Sequence, residues 1–123
     1  MLLVRVRGSG QTDQRVDPQY GLLLELGAGG VLTELLRDSV TLLPPFTAAG
    51  ITAALGRLRA APLLAGFRGR PAADVPALVE TALGCTRYAL ENLERLAELD
   101  LNPVIVRPAG LGAVAVDALI RLT

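Results

Sequence analysis

The stretch from Asp74 to Ala97 constrains this chain more than any other part of it. Val75, Leu78, Val79, Ala82, Leu83, Thr86, Ala89, Leu90, Leu93 and Ala97 recur at the i, i+3, i+4, i+7 spacing of one apolar helix face. Asp74 stands where a helix start needs a side-chain acceptor, and Pro76 falls in the first turn, where a missing N–H is harmless. Glu80, Arg87, Glu91, Glu94 and Arg95 lie largely off the stripe. A helix with a single apolar face must bury it against another layer, and the flanking segments read as the strands of a sheet.

Leu2 to Arg7 is a short apolar and basic run closed by Gly8-Ser9-Gly10, and Tyr20 to Leu26 is an aliphatic run of strand length. These two read as an antiparallel pair. Gly27-Ala28-Gly29-Gly30 ends the second run, Val31 to Arg37 reads as a helical turn or two, and Ser39 to Leu43 as a third strand stopped by Pro44-Pro45. Thr47 caps a helix from Ala48 to about Arg59. Leu99 to Val106 and Ala113 to Leu122 flank the turn segment 107–112 and read as a hairpin. The expected fold class is α+β, a mostly antiparallel sheet with two main helices packed on one face. At 123 residues this is one domain, and with 51% apolar residues and only four aromatics its core is aliphatic.

Absences narrow the chemistry. There is no His, which excludes a Ser-His-Asp triad, a His-metal site and a phosphohistidine within the chain. There is no Lys either, which excludes a Walker-type phosphate loop and a Schiff base. Cys85 stands alone, so no internal disulfide forms, and on the helix stripe it reads as a buried, inert thiol. Twelve Arg balance twelve acidic residues, and the aromatics are few, so neither a basic footprint nor a stacking platform points to nucleic acid. No uncharged run approaches a membrane span, and Arg5 and Arg7 interrupt the apolar start. The expected location is cytoplasmic.

Strand periodicity also predicts a polar cluster. Strict alternation puts Asp100, Asn102, Val104 and Val106 on one face of the fourth strand, and Ala113, Ala115, Asp117, Leu119 and Arg121 on one face of the fifth. A hairpin paired symmetrically about its six-residue loop sets Val106 opposite Ala113, Val104 opposite Ala115 and Asn102 opposite Asp117. An amide oxygen and a carboxylate then lie side by side, with Asp100 two residues along. One reading is a hard divalent cation such as Mg²⁺, which takes oxygen ligands and bridges to phosphates. The other is a wet sheet edge, with Asn102 capping a turn before Pro103. A one-residue slip of register would remove the cluster.

Two further segments carry anion-binding chemistry in outline. Gly27-Ala28-Gly29-Gly30 before Val31-Leu32-Thr33-Glu34 can aim backbone N–H groups at an anion, or can be a plain tight turn. Glu34 is either a surface carboxylate or a support for a nucleotide-bound metal. Arg68-Gly69-Arg70 can grip phosphate with forked hydrogen bonds, or can be a solvated loop before the Asp74 cap.

Taken in order, several blocks resemble the ATP-grasp region of NDP-forming acyl-CoA synthetases. They are Asp17-Pro18-Gln19-Tyr20-Gly21, Leu26-Gly27-Ala28-Gly29-Gly30-Val31 with Glu34-Leu35-Leu36-Arg37-Asp38, Leu63 to Pro71, Glu98 to Val106, and Ala115 to Leu122. That family includes ADP-forming acetyl-CoA synthetases and protein-lysine acetyltransferases, and is related to the succinyl-CoA synthetase β chain. The resemblance implies a single partial ATP-grasp domain over 1–123, its carboxyl-terminal half. It implies a reaction of acid, CoA and ATP giving acyl-CoA, ADP and phosphate through a phosphohistidine. It also implies Mg²⁺ and ATP or ADP as cofactors. Asn102 and Asp117 would hold the metal, Asp100 is a weaker candidate, and Gly29, Gly30, Glu34 and Arg68 would meet the nucleotide.

The chain departs from the family pattern in three ways. The amino-terminal jaw of the ATP-grasp region is missing, Gly8 to Gln14 reads as an insertion, and no Glu stands in Met1-Leu2-Leu3-Val4-Arg5 where members usually place one. The CoA-binding and histidine-bearing domains are absent, so the expected partners are nucleotide and a synthetase domain or chain that carries them. The chain alone is expected to be inactive. The competing expectation is a degenerate or non-catalytic binding module, and a third is self-association through the surface that the jaw would cover.

Overall fold

The computed structural model describes residues 1–8, 21–29 and 37–123. Its elements run β1 (Leu2–Gly8), β2 (Leu22–Ala28), β3 (Ser39–Leu42), α1 (Ala48–Leu55), α2 (Ala61–Ala65), α3 (Val75–Glu91), β4 (Leu96–Val106), β5 (Ala113–Ala115) and β6 (Ala118–Leu122). The strands form one antiparallel sheet in the order β3-β2-β1-β4-β5, with β6 also paired to β4. The α+β expectation holds, and α2 is a short helix that periodicity did not mark. The helical turn expected over Val31 to Arg37 lies almost wholly outside the described residues.

One face of this sheet is the core. Val4, Val6, Leu24, Leu26 and Val104 of the strands pack with Ile51 and Ala54 of α1 and with Leu78, Ala82 and Ala89 of α3, all essentially buried. Thr47 caps α1 by accepting from the Gly50 N–H at 3.0 Å, as its position before the apolar run requires. Asp74 caps α3 through the Ala77 N–H at 3.2 Å, and its second oxygen accepts from the Gly112 N–H at 2.8 Å. One carboxylate thereby fixes the start of α3 against the turn between β4 and β5.

Several boundaries differ from expectation: β2 runs on through Gly27 and Ala28, where the sequence predicts its end, and β3 stops one residue early at Leu42. α1 ends at Leu55 rather than near Arg59, with Gly56 as its cap. α3 ends at Glu91, so Leu93 and Ala97 do not continue the helical stripe. Asn92 stops it: the side-chain amide donates to the Tyr88 carbonyl at 2.8 Å, and its own carbonyl accepts from Arg95 and Leu96 in a tight turn. β4 consequently begins at Leu96, three residues before the expected start.

The expected hairpin register is the observed one. Val104 pairs with Ala115 and Val106 with Ala113, and the same register runs on from Leu101 with Ala118 to Glu98 with Arg121. The expected faces are wrong. Leu99 and Leu101 face the core, and so do Val104 and Val106, whereas Asp100 points to the other side. Alternation slips between these pairs because β4 carries a bulge where it meets β1: Val4 pairs with Leu101 but Leu2 with Val104, leaving Asn102 and Pro103 opposite Leu3 alone. Pro103 has no N–H to give the ladder. A matching break at Val116 and Asp117 separates β5 from β6, so Ala113 faces the core while Arg121 faces away with Glu98.

Candidate nucleotide and metal site

The face of the sheet away from the helices is charged. Arg5 in the centre of β1 donates to Glu25 of β2 at 3.0 Å and to Asp100 of β4 at 3.2 Å. Arg7 approaches the same Glu25 oxygen at 3.9 Å, and Arg121 pairs with Glu98 at 3.6 Å. Burial by itself would lower the Arg5 pKa, but the hydrogen bond to Asp100 and the charges of Asp100, Glu25 and Glu98 outweigh it, so the net shift is upward. Arg5 is thus a permanent cation bracketed by two carboxylates. In the sequence Arg5 and Arg7 stand only as a short basic run. The usable signal was that Arg5, Glu25 and Asp100 each interrupt an aliphatic strand at alternating positions.

The bulge puts Asn102 at the edge of this cluster. The Asn102 N–H donates to the Asp117 carbonyl at 3.2 Å, which sets the two residues opposite each other as the hairpin register required. The Asn102 side-chain oxygen also lies where a Cβ on Gly29 would stand, only 2.9 Å from that position, and the Leu2 carbonyl oxygen is closer still at 2.5 Å. Gly29 is itself tied down by its N–H, which donates to the Met1 carbonyl at 3.0 Å. Any side chain at Gly29 would displace the Asn102 amide. Gly29, Asn102 and Asp117, expected to serve one site, therefore do come together.

The remaining expected residues stand apart from that group. Asp100 Oδ2 accepts from Arg5, and Asp100 Oδ1, like Arg5 Nε, is buried with no hydrogen-bond partner among the described residues. The Arg68 guanidinium stacks over the Phe67 ring, 5.2 Å from its centroid, on an exposed loop where Arg68 holds φ at 52°. Gly30 and Glu34 lie outside the described residues. Near the start of β1 is a cavity of about 380 Å³ whose lining is mostly apolar, with Leu63, Phe67, Val106 and Pro108 in its walls and Arg70 among them. Cys85 is buried, and burial pushes its thiol up to about 11, so it is no nucleophile at neutral pH.

The donor set suits a hard cation shared with a ligand. Asn102 and Asp117 offer an amide and a carboxylate oxygen, and the sulfur and imidazole ligands that favour zinc are missing from the pair. Among the described residues no group of three or more His, Cys, Asp or Glu gathers as an all-protein cage. Mg²⁺ characteristically keeps few protein ligands and completes its shell with water and phosphate oxygens.

Comparison with known proteins places this geometry. A family model for the ATP-grasp domain matches residues 13–122. The chain is 38% identical over 106 residues to the beta subunit of the ADP-forming acetate–CoA ligase II of Pyrococcus furiosus, covering 86% of this chain and 45% of that one. It is 45% identical over 103 residues to a trans-feruloyl-CoA synthase from an unknown prokaryotic organism, covering 84% of this chain and 14% of that protein. The fold superposes with a TM-score of 0.84 and 34% identity on acetyl-coenzyme A synthetase 1 of Ca. Korarchaeum cryptofilum, solved with coenzyme A and Mg-AMPPCP, over 99% of this chain and 52% of that one. The chain thus spans about half, or less, of these relatives' own lengths. With the family model covering nearly the whole sequence, the chain belongs to the ATP-grasp family and is part of an ATP-grasp domain of the kind found in ADP-forming acyl-CoA synthetases.

Proposed function

We propose that the chain supplies the Mg²⁺-holding sheet of the nucleotide site in an ADP-forming acyl-CoA synthetase, converting acid, CoA and ATP to acyl-CoA, ADP and phosphate. The observation that carries this reading is the Asn102 side-chain oxygen 2.9 Å from where a Cβ on Gly29 would stand, with Asp117 set opposite Asn102 by the hairpin register. In this reading Asn102 and Asp117 hold the metal. Gly29 leaves the amide room to turn toward it, and Gly30, Glu34 and Arg68 meet the nucleotide. Magnesium supplies charge neutralisation to the phosphates of ATP or ADP. Arg5 keeps Asp100 and Glu25 from presenting two unbalanced negative charges beneath an anionic ligand, which fits Asp100 as a structural neighbour rather than a ligand.

The histidine and the CoA site come from a separate domain or chain in the cytoplasm, so this polypeptide alone turns over no substrate. Calorimetric titration with ATP, with and without Mg²⁺, tests the reading. Magnesium-dependent binding that weakens at least about tenfold in Asp117→Asn supports it, since losing one charged ligand removes a charge-assisted contact. Binding that ignores magnesium or the substitution overturns it.

A second reading is a degenerate or non-catalytic ATP-grasp-like module. It is favoured by Arg5, which occupies Asp100 in the strand where the family resemblance leads one to expect a Glu. No nucleotide binding at millimolar concentration is its expected result.

A further inference from the structure

The outer edge of β6 has no strand beside it among the described residues, because β6 pairs only with β4. All five of its residues are exposed. Leu119, Ile120 and Leu122 place exposed apolar side chains along this edge. Natural edge strands are usually protected by Pro, Lys, bulges or repeated charge. The break at Val116 and Asp117 ends before β6, which itself holds no Pro or Lys and one charge, Arg121, opposite in sign to Asp117 four residues before it.

The ladder restricts how a second strand can join. Asp117, just before β6, accepts from the Asn102 N–H, and Thr123, just after it, donates to the Arg95 carbonyl. From Asp117 onward, odd positions therefore direct main-chain groups toward β4. The phase changes at the break, where the Val116 N–H also turns inward to the Pro103 carbonyl. By alternation, Ala118, Ile120 and Leu122 direct theirs outward. In an antiparallel pair of two identical edges these even positions must face even positions, which requires the twofold axis to pass through a residue. Centred on Ala118, the pairing sets Asp117 against Leu119. Centred on Ile120, it sets Leu119 against Arg121. Centred on Leu119, it sets Asp117 against Arg121 at both ends, Leu119 against Leu119, and on the other face Ala118 against Ile120. Of the three, that register alone matches charge with charge and apolar with apolar residues.

We propose that β6 is a self-pairing edge, at which two copies of this chain join antiparallel about a twofold axis at Leu119, each Asp117 facing the other copy's Arg121. The contact is isologous, so it closes as a dimer and leaves no further edge of the same kind. Its area falls at the small end of specific interfaces, roughly 1,200 Å² or below, so the association depends on concentration. The inference shares Asp117 with the nucleotide reading, but it is read by mass rather than by ligand binding, so the failure of one is distinguishable from the failure of the other.

Sedimentation velocity of the 123-residue chain across a concentration series tests it. A monomer–dimer equilibrium is expected. Asp117→Arg and Arg121→Asp each set like charges opposite at both ends of the pair and should each weaken dimerisation at least about tenfold. An equimolar mixture of the two variants restores opposite charges at both contacts, and should recover a one-to-one dimer. Leu119→Arg, which sets two cations on the axis, should be monomeric. Circular dichroism confirms that each variant is folded. A clean monomer at the highest soluble concentration overturns the proposal. A dimer indifferent to all three substitutions, or folded variants that fail to recombine, overturns it equally.

Discussion

The two faces of this one sheet are built on opposite physical terms. Toward the helices, Val4, Val6, Leu24 and Val104 are buried among aliphatic side chains, where any residue of similar shape and volume would serve. Toward the other side, Arg5, Glu25 and Asp100 occupy the intervening positions of the same strands and are held by direction-dependent ionic hydrogen bonds. The first face tolerates changes of identity but not of volume. The second tolerates changes of volume but not of charge. This division lets one small sheet bury an aliphatic core on one side and keep a charged surface on the other.

Substitutions on either side should keep to those terms. Leu24→Ala removes a fully buried side chain from the centre of the core and should lower the unfolding free energy by about 2–5 kcal/mol, the largest effect of the series. Denaturant titration measures it, and a loss well under 1 kcal/mol would mean that the core can collapse around the void. Arg5→Met keeps volume and strands two partly buried carboxylates, at roughly 1–3 kcal/mol given that the group is not fully shielded from solvent. That loss should shrink in a background where Asp100→Asn has already removed one of the charges, so a double-mutant cycle discriminates charge from packing. An equal loss in both backgrounds would make Arg5 a packing residue and blur the comparison.

Gly29→Ala lies where the two faces meet. Its Cβ would stand 2.5 Å from the Leu2 carbonyl oxygen and 2.9 Å from the Asn102 amide oxygen, so backbone and side chain must both shift. The expected cost is about 1–3 kcal/mol, comparable with overpacking a core. Magnesium-dependent nucleotide binding should fall with it, whereas an unchanged melt would show that this corner is already loose. Cys85 gives a smaller effect with a defined sign. Its pKa, raised by burial to about 11, favours the neutral thiol in the folded state, so its stabilisation is complete below about pH 9 and is lost as pH rises toward 11. Urea melts of the unaltered chain and of Cys85→Ala at pH 8 and pH 10.5 should show the steeper alkaline loss in the former. Smallest of all is Glu98→Gln, which removes a 3.6 Å pair with an Arg121 that is 60% exposed. It should cost about 0.5 kcal/mol or less, fading further in salt.

How much of this was legible beforehand follows from the range of the interaction involved. The caps at Thr47 and Asp74 act within one helical turn, and both were readable. The end of α3 was misread because the apolar stripe ran on through Leu93 and Ala97, while the Asn92 turn that stops the helix is a side-chain effect that periodicity does not register. The hairpin register was readable because a six-residue connection leaves one symmetric pairing, and that pairing was enough to set Asn102 opposite Asp117. The faces were not readable, because a bulge between β1 and β4 answers to a strand nearly a hundred residues away.

The sequence by itself therefore determined the elements, the antiparallel hairpin and the pairing of Asn102 with Asp117, since these follow from periodicity, capping and loop length over a few residues. The tertiary structure alone decided that Asp100 would turn away from Asn102 and close on Arg5. It also decided that the Asn102 amide would lie on Gly29 and that β6 would be left as an exposed edge. Those outcomes depend on which strands become neighbours, and contacts between residues 73 or 95 positions apart are fixed by packing of the whole sheet rather than by any local preference of the chain.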